Sequence, residues 1–327
     1  MTEPAIAVHI DSISKRFGRV LALDDVSFDI RANEMFAILG PNGAGKSTLI
    51  MILCTLLRPD GGSATIMGKD VLRASRAVRR NLGVVFQEPS LDTRLTVEEN
   101  LDFHGRVFEM SGKLRKQRMT ELLELVELSD VRGRLVRTLS AGMKRRVEIA
   151  RALMHDSKVV ILDEPTVGLD AQSRARLWEY LERIRREREV TLIVTTHYIE
   201  EVEPCDRVCI IDHGKVLALD TPDALKASYG EQAIRLTPRD SAAEAAILER
   251  FPEAVRSPDG ELVLASGDPA VTETLLGEFG SQLHSFSVDR SSLESVFLRL
   301  TGRDIRDKPD ASARTHEGVP PGQEPRM

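Results

Sequence analysis

A glycine-rich loop with the sequence GPNGAGKS, at residues 40–47, limits the folds open to this chain more than any other segment. Before the loop, Met35–Leu39 is a continuous apolar run, which is typical of a strand buried on both faces of a sheet. After the loop, residues 49–57 carry apolar side chains at helical spacing. The pattern G-x-x-x-x-G-K-[ST] between a strand and a helix is the setting of a phosphate-binding loop. The sequence therefore predicts an α/β fold that binds a nucleotide phosphate chain.

The chemistry of such a loop comes from its backbone and from one lysine. Glycines let the backbone curl so that its N–H groups point at phosphate oxygens, and the N-terminus of the next helix adds partial positive charge. In this interpretation Lys46 reaches the β- and γ-phosphates and Ser47 holds Mg²⁺. A glycine-rich turn with a chance Lys-Ser is the alternative, which the strand and helix context disfavours. The predicted phosphate-binding residues are Gly40, Pro41, Asn42, Gly43, Ala44, Gly45, Lys46, Ser47 and Thr48.

An acidic pair, Asp163 and Glu164, follows a second buried apolar run, Val159–Leu162. Carboxylates at the end of a strand beside a phosphate loop are suited to holding Mg²⁺ and to polarising an attacking water. We assign the first role to Asp163 and the second to Glu164. A solvated turn after a strand favours the same residue types, so the pair gains its meaning from the loop at 40–47.

Strand-like and helix-like segments alternate along most of the chain, which predicts an α/β sheet. Residues 1–230 are predicted to form one nucleotide-binding unit, with a helical insertion at 97–137 where leucines lie among charges. Residues 231–302 are predicted as a small α+β domain, whose split β-α-β order with a hairpin at Asp259-Gly260 resembles ferredoxin-like modules. The tail, 303–327, is rich in Pro, Gly and charge and is predicted to be disordered.

Further motifs occur in a fixed order along the chain. Gln87 follows a strand-like segment, Leu139-Ser140-Ala141-Gly142-Met143 precedes a helical pattern, Asp170 ends Val-Gly-Leu-Asp, and His197 follows another strand-like segment. With the loop and the acidic pair, this order resembles the ATP-binding cassette of ABC transporters over residues 5–230. The resemblance implies a P-loop cassette with a mostly parallel core sheet, an N-terminal antiparallel β subdomain and a helical subdomain.

The same resemblance implies roles for single residues. Gln87 would sense Mg²⁺ and the membrane partner, His197 would hold the γ-phosphate and the attacking water, and Phe17 would stack on adenine. The nucleotide would also be contacted, across a dimer, by the signature and D-loop residues Ser140, Gly142 and Asp170.

The signature departs from the usual Leu-Ser-Gly-Gly-Gln, because Ala141 replaces a glycine and Met143 replaces the glutamine. A positive φ at Ala141 would cost about 1 kcal/mol or more. Ser140 and Gly142 are retained, so we expect a working site with altered turnover. A degenerate signature in an inactive site is the alternative, which the intact Lys46 and the other site residues disfavour.

Composition bears on the partners. The 327 residues carry a formal net charge of −6 without a Lys/Arg-rich stripe, so no nucleic-acid partner is expected. No apolar run approaches the ~20 residues of a membrane-spanning helix, and the first residues lack a secretory-signal pattern. The family resemblance implies a head-to-tail dimer of two copies with ATP between them, acting on a separate integral membrane permease. We therefore expect the chain at the cytoplasmic face of the membrane, docked through the region around Gln87-Glu88-Pro89 and the helical insertion.

The C-terminal segment at 293–302, LESVFLRLTG, narrows the resemblance to the ATPase subunits of daunorubicin-resistance-type and related ABC-2 exporters. Its apolar residues also fit a packed amphipathic helix. This resemblance implies an ATP-hydrolysing motor for export of a drug, a lipid-linked compound or a polysaccharide. Two alternatives remain open at this point: a non-transport ABC ATPase acting on ribosomes or DNA, and an import ATPase with a regulatory C-terminal domain.

Overall fold

The computed structural model describes residues 5–230, 233–257, 261–266, 268–289 and 292–301. The hairpin residues Asp259-Gly260 and the predicted disordered tail lie outside these residues. The strands are β1 (Ile6–Phe17), β2 (Val20–Arg31), β3 (Met35–Leu39), β4 (Gly61–Ile66), β5 (Lys69–Asp70), β6 (Leu82–Val85), β7 (Val159–Asp163), β8 (Thr191–Thr196), β9 (Arg207–Asp212), β10 (Lys215–Asp220), β11 (Ala233–Pro238), β12 (Val255–Arg256), β13 (Leu262–Ala265) and β14 (Leu283–Asp289). The α-helices are α1 (Lys46–Leu53), α2 (Ser75–Asn81), α3 (Val97–Val107), α4 (Gly112–Leu125), α5 (Ala141–Leu153), α6 (Ala171–Arg188), α7 (Pro222–Tyr229), α8 (Ser241–Arg250), α9 (Pro269–Phe279) and α10 (Leu293–Thr301).

The central sheet has the strand order β10-β9-β3-β8-β7-β6. Neighbouring strands in it are parallel except for β9 and β10. Side chains alternate between two cores, because Phe36 and Ile38 pack on one face of β3 while Ala37 and Leu39 pack on the other. This confirms the predicted, mostly parallel core sheet. Because parallel strands end at one edge, the residues that follow β3, β7 and β8 meet there.

A second, antiparallel sheet has the order β2-β1-β4-β5 and shares a core with α1 and one face of the central sheet. The alternating burial of Val26, Phe28 and Ile30 keeps one face of β2 on that core. This is the antiparallel subdomain that the family resemblance implied. Helix α1 ends at Leu53, earlier than the predicted apolar pattern, and Thr55 just beyond has a positive φ of 62°.

The segment between β6 and β7 is helical, as the pattern of leucines predicts. A capping box starts α3, in which Thr96 accepts from the backbone of Glu99 and the Glu99 side chain accepts from the backbone of Thr96. Leu122 and Leu123 of α4 and Val147 of α5 belong to the core on this side of the central sheet. In the described part of the chain, no helix combines the length and apolar character needed to cross a membrane.

The C-terminal residues form a third, antiparallel sheet with the order β12-β13-β11-β14. Helices α8 and α9 pack on one face of it, where Ile247 and Leu275 contact the core around Ile234. Helix α8 connects β11 to β12, and β13 lies between these two strands in the sheet. This is the split β-α-β arrangement. Helix α10 instead packs beside α7, and Val296 and Phe297 are buried in the core of the cassette. The domain boundary near residue 230 stays a prediction.

Candidate functional site

The glycine-rich loop joins the end of β3 to the first residue of α1, as its pattern predicts. Gly43 and Gly45 have positive φ values of 86° and 107°, a region that favours glycine. A Cβ at Gly45 would lie 2.5 Å from the carbonyl oxygen of Ala22, and no side chain fits there. The loop lines a cleft of about 320 Å³, which we call the phosphate-loop cleft. Its lining residues are Val20, Leu21, Ala22, Pro41, Asn42, Gly43, Ala44, Gly45, Lys46, Ser47, Thr48, Gln87, Glu164 and His213.

Lys46 lies buried at the base of this cleft. Its Nζ donates to the carbonyl oxygen of Gly40 at 2.7 Å and to that of Pro41 at 3.2 Å. The same Nζ lies 3.4 Å from Oε1 of Glu164. Burial lowers the pKa of Lys46, and the nearby Glu164 carboxylate opposes that shift. The Lys46 ammonium is therefore held in place at the cleft, next to the Glu164 carboxylate.

Glu164 follows β7 in a backbone conformation that is uncommon for a residue other than glycine, with φ at 45°. Its N–H lies 3.1 Å from the carbonyl oxygen and 3.0 Å from Oγ1 of Thr195 on β8. The Thr195 hydroxyl donates to Oδ1 of Asp163 at 2.5 Å. One buried threonine thus positions both members of the acidic pair. Sequence reasoning did not identify Thr195.

Three of the predicted site residues, Lys46, Gln87 and His197, converge on the Glu164 carboxylate. Nε2 of Gln87 donates to Oε2 of Glu164 at 3.4 Å, and Nδ1 of His197 lies 3.3 Å from Oε1. The His197 Nδ1 is buried and makes no hydrogen bond. Together with Lys46, these residues place three cationic or donor groups around one carboxylate at the cleft. Such a constellation can bind a phosphate and orient a water.

Phe17 occupies a different place from these residues. It ends β1, its side chain is 47% exposed, and it is not among the residues that line the cleft. Lys15 Nζ lies 5.5 Å from the centre of its ring. In the β-hairpin Phe17 pairs with Val20, which does line the cleft. The aromatic ring therefore lies near the rim.

The signature residues lie at the start of α5, in a pocket of about 70 Å³ that we call the signature pocket. Ser140 caps the helix and accepts from the Met143 N–H at 3.2 Å. Ala141 is the first helical residue and is not among those with positive φ, so the strain considered for it does not arise. A Cβ at Gly142 would lie 3.1 Å from Oγ of Ser173, so this glycine allows α5 and α6 to approach closely.

Asp170 caps α6 beside the signature pocket. Its Oδ1 accepts from the Ser173 N–H at 2.8 Å and its Oδ2 from the Ser173 hydroxyl at 2.7 Å. These hydrogen bonds hold the pKa of Asp170 below its usual value. None of Ser140, Gly142 and Asp170 lines the phosphate-loop cleft. The structure thus places Ser140, Gly142 and Asp170 around the signature pocket, apart from the predicted residues that lie in or beside the phosphate-loop cleft.

Comparisons with known proteins agree with this geometry. Residues 23–167 match the family model described as ABC transporter. The chain is 39% identical to the Nod factor export ATP-binding protein I of Rhizobium sp. (strain N33), over 92% of this chain and 98% of that protein. It is 38% identical to the daunorubicin/doxorubicin resistance ATP-binding protein DrrA of Streptomyces peucetius, over 97% of this chain and 99% of that protein.

Among solved structures, one similar to this chain is the dimeric structure of an ATP-binding cassette in a post-hydrolysis state, bound to ADP and Pi. It has a TM-score of 0.59 and 29% identity, and it covers 65% of this chain and 98% of that one. The sequence relatives match over nearly their whole length, and the structural relative matches over the cassette. The chain therefore belongs to the ABC transporter family, as an ATP-binding and ATP-hydrolysing subunit.

Proposed function

We propose that this chain is the motor subunit of an ABC exporter, in which hydrolysis of ATP in the phosphate-loop cleft drives a separate membrane permease. The observation that carries the proposal is the convergence of Lys46, Gln87 and His197 on the Glu164 carboxylate. Export is supported by the names of the two sequence relatives, which are a Nod factor export protein and a drug resistance protein. The cargo class is a drug, a lipid-linked compound or a polysaccharide.

Binding of the triphosphate uses the loop backbone and Lys46. The N–H groups of the loop and of the first turn of α1 donate to phosphate oxygens, and Lys46 supplies a charge-assisted hydrogen bond. A phosphate carries more negative charge than Glu164, so it displaces the carboxylate as the main partner of the ammonium. Thr48 lies in the first turn of α1 and lines the cleft. Phe17 at the rim stacks on the adenine ring.

Glu164 and His197 then act on the γ-phosphate and water. The Glu164 carboxylate accepts a hydrogen bond from a water and takes its proton as the water oxygen bonds to the γ-phosphorus. The bond from that phosphorus to the β,γ-bridging oxygen breaks, and ADP leaves with the bond electrons. His197, whose Nδ1 faces Oε1 of Glu164 at 3.3 Å, donates a hydrogen bond to a γ-phosphate oxygen. The positive φ of Glu164 places its carboxylate at this point of the cleft.

The residues present also fit Mg²⁺. The Ser47 hydroxyl, the Gln87 amide oxygen and the Asp163 carboxylate are hard oxygen donors, which Mg²⁺ prefers. The hydrogen bond from Thr195 orients the Asp163 carboxylate. When bound, Mg²⁺ neutralises charge on the phosphates.

The second group of residues acts in a dimer. Ser140, Gly142 and Asp170 lie outside the cleft of their own chain, so they contact nucleotide held by a second copy arranged head to tail. The start of α5 offers backbone N–H groups to a γ-phosphate. ATP then joins the two copies, and its hydrolysis separates them.

The permease docks on the helical subdomain at the cytoplasmic face of the membrane. Phe103 and Val107 on α3 are 64% and 61% exposed, which makes an apolar ridge. A cleft of about 510 Å³ lies beside Phe103 and one of about 320 Å³ beside Val107. A cytoplasmic helix of the permease fits such a ridge and its flanking clefts.

The variant E164Q tests the proposal. We expect hydrolysis to fall at least 100-fold, because the amide cannot take a proton from water. ATP affinity should stay within about threefold, since the phosphate contacts remain, and the variant should elute as a dimer with ATP and as a monomer without it. E124Q, on an exposed face of α4, is the matched control. Normal turnover in E164Q would refute the role of Glu164, and a monomer at saturating ATP would refute the dimer.

A further inference from the structure

Helix α5 carries a buried ion pair that none of the roles above uses. Arg145 and Glu148 are 5% and 1% exposed, and Nη1 of Arg145 lies 3.0 Å from Oε2 of Glu148. Burial lowers the pKa of Arg145, and the Glu148 carboxylate opposes that shift. Charged residues on a helix are rarely buried this completely unless they are paired and hydrogen-bonded.

The pair holds the backbone of the segment that contains Gln87. Nη1 of Arg145 donates to the carbonyl oxygen of Phe86 at 2.6 Å, and Nη2 donates to that of Gln87 at 3.0 Å. Oε1 of Glu148 accepts from the Ser90 N–H at 2.8 Å. One face of α5 therefore holds segment 86–90 by hydrogen bonds at both of its ends.

Arg151, one turn further along the same face of α5, also hydrogen-bonds to this segment. Its Nη1 donates to the carbonyl oxygen of Ser90 at 2.8 Å, and its Nη2 donates to the Ser90 hydroxyl at 2.6 Å. An apolar pair at 145 and 148 would pack as well, but it would leave the two carbonyls and the Ser90 N–H without these partners. The charges thus make a contact of fixed geometry between helix and segment.

This contact connects the two groups of site residues within one chain. The N-terminus of α5 is capped by Ser140 of the signature, while the side chain of Gln87 reaches Glu164 in the cleft. We propose that Arg145 and Glu148 are positioning residues that transmit the placement of α5 to Gln87, so that Gln87 reaches Glu164 only when α5 is seated on segment 86–90. The proposal rests on the role given to Glu164 above.

Two variants of the full chain break the contact in different ways. R145K keeps a cation beside Glu148 but cannot donate to two successive carbonyls as a guanidinium does. The double variant R145M/E148L removes both charges together, which avoids an unpaired buried carboxylate and protects folding. R185M is the matched control: Arg185 also pairs at i,i+3 spacing, with Glu182, and also donates to a loop carbonyl, that of Asn33. Arg185 does not line the cleft.

The measurements are kcat and KM for ATP, amide hydrogen exchange of residues 86–90, and the unfolding midpoint from Trp178 fluorescence. We expect both variants to lower kcat at least fivefold with KM within twofold, and to speed exchange of the Ser90 amide. R185M should lower the unfolding midpoint without changing kcat. A merely structural pair would change the midpoint alone.

A double-mutant cycle with Q87A decides the route. If the pair acts through Gln87, adding R145K to Q87A lowers kcat no further. Losses that multiply, an unchanged kcat in folded R145K and R145M/E148L, or a Q87A variant with full kcat would each overturn the proposal. These results are independent of E164Q: if E164Q lacks turnover, the proposed function stands whatever R145K does.

Discussion

The phosphate-loop cleft and the signature pocket hold the two groups of predicted residues, and they are built differently. In the cleft, side chains from separate segments converge, and Lys46, Gln87 and His197 all face one carboxylate. Around the signature pocket, Ser140 and Asp170 are helix caps that bond within their own helices. The cleft brings together groups suited to chemistry inside one chain, whereas in the proposed dimer the signature presents a helix N-terminus to nucleotide held by the second copy.

The largest expected effect that distinguishes the two regions is on ATP affinity. K46A should weaken ATP binding at least tenfold, because it removes a charge-assisted hydrogen bond of about 1.5–3 kcal/mol. Equilibrium titration with a fluorescent ATP analogue measures this. K158A, whose lysine pairs with Asp156 on the surface, is the control and should bind normally. Unchanged affinity in K46A would contradict the placement of the phosphates.

S140A should leave ATP affinity unchanged but lower kcat about tenfold, because in the proposed dimer Ser140 meets only the nucleotide held by the other copy. It should also lower the free energy of unfolding by about 1 kcal/mol through loss of a cap. S111A removes the comparable cap of α4, where Ser111 accepts from Leu114, and should lose stability without losing kcat. A mixture of K46A and S140A chains should exceed the activity of either alone, because mixed dimers contain one intact site. A mixture no better than the average would place the signature in its own chain's site.

The last two variants each remove one hydroxyl, one in each region, and S173A has the smallest expected effect. T195V removes a buried hydroxyl that donates to Asp163 and accepts from the Glu164 N–H, so kcat should fall about tenfold and the free energy of unfolding by about 1–2 kcal/mol. S173A removes a bond to the exposed Asp170 and should change kcat less than twofold. Steady-state hydrolysis and urea unfolding give both quantities. Equal losses in the two variants would remove the contrast between the regions.

Local signals account for what could be predicted. Buried strands show as continuous apolar runs, and a glycine-rich loop between a strand and a helix is visible in the sequence alone. The edge of the sheet that carries the site and the position of Lys46 could therefore be predicted. The division into two regions followed from the family order of motifs. Helix α1 shows the limit of periodicity, because apolar spacing continues to Leu57 while the backbone turns at Thr55.

The contacts that could not be predicted from the sequence involve residue types that are common at such positions for other reasons. Threonine is common at the end of a strand, so nothing marked Thr195 as the residue that orients the acidic pair. Charged residues in an amphipathic helix usually face solvent, so Arg145 and Glu148 gave no sign of burial. The positive φ of Glu164 depends on long-range contacts with β8, which no local pattern encodes.

The seating of α10 also matters for anyone who wishes to shorten this protein. Val296 and Phe297 come from the far end of the described chain, yet they complete the interior of the cassette beside α7. A chain truncated at residue 230 would expose the apolar surface that α10 covers, and it would aggregate more readily than the whole chain. Helix α10 closes this part of the cassette core. The small domain that precedes it could therefore be exchanged only in a chain that keeps α10.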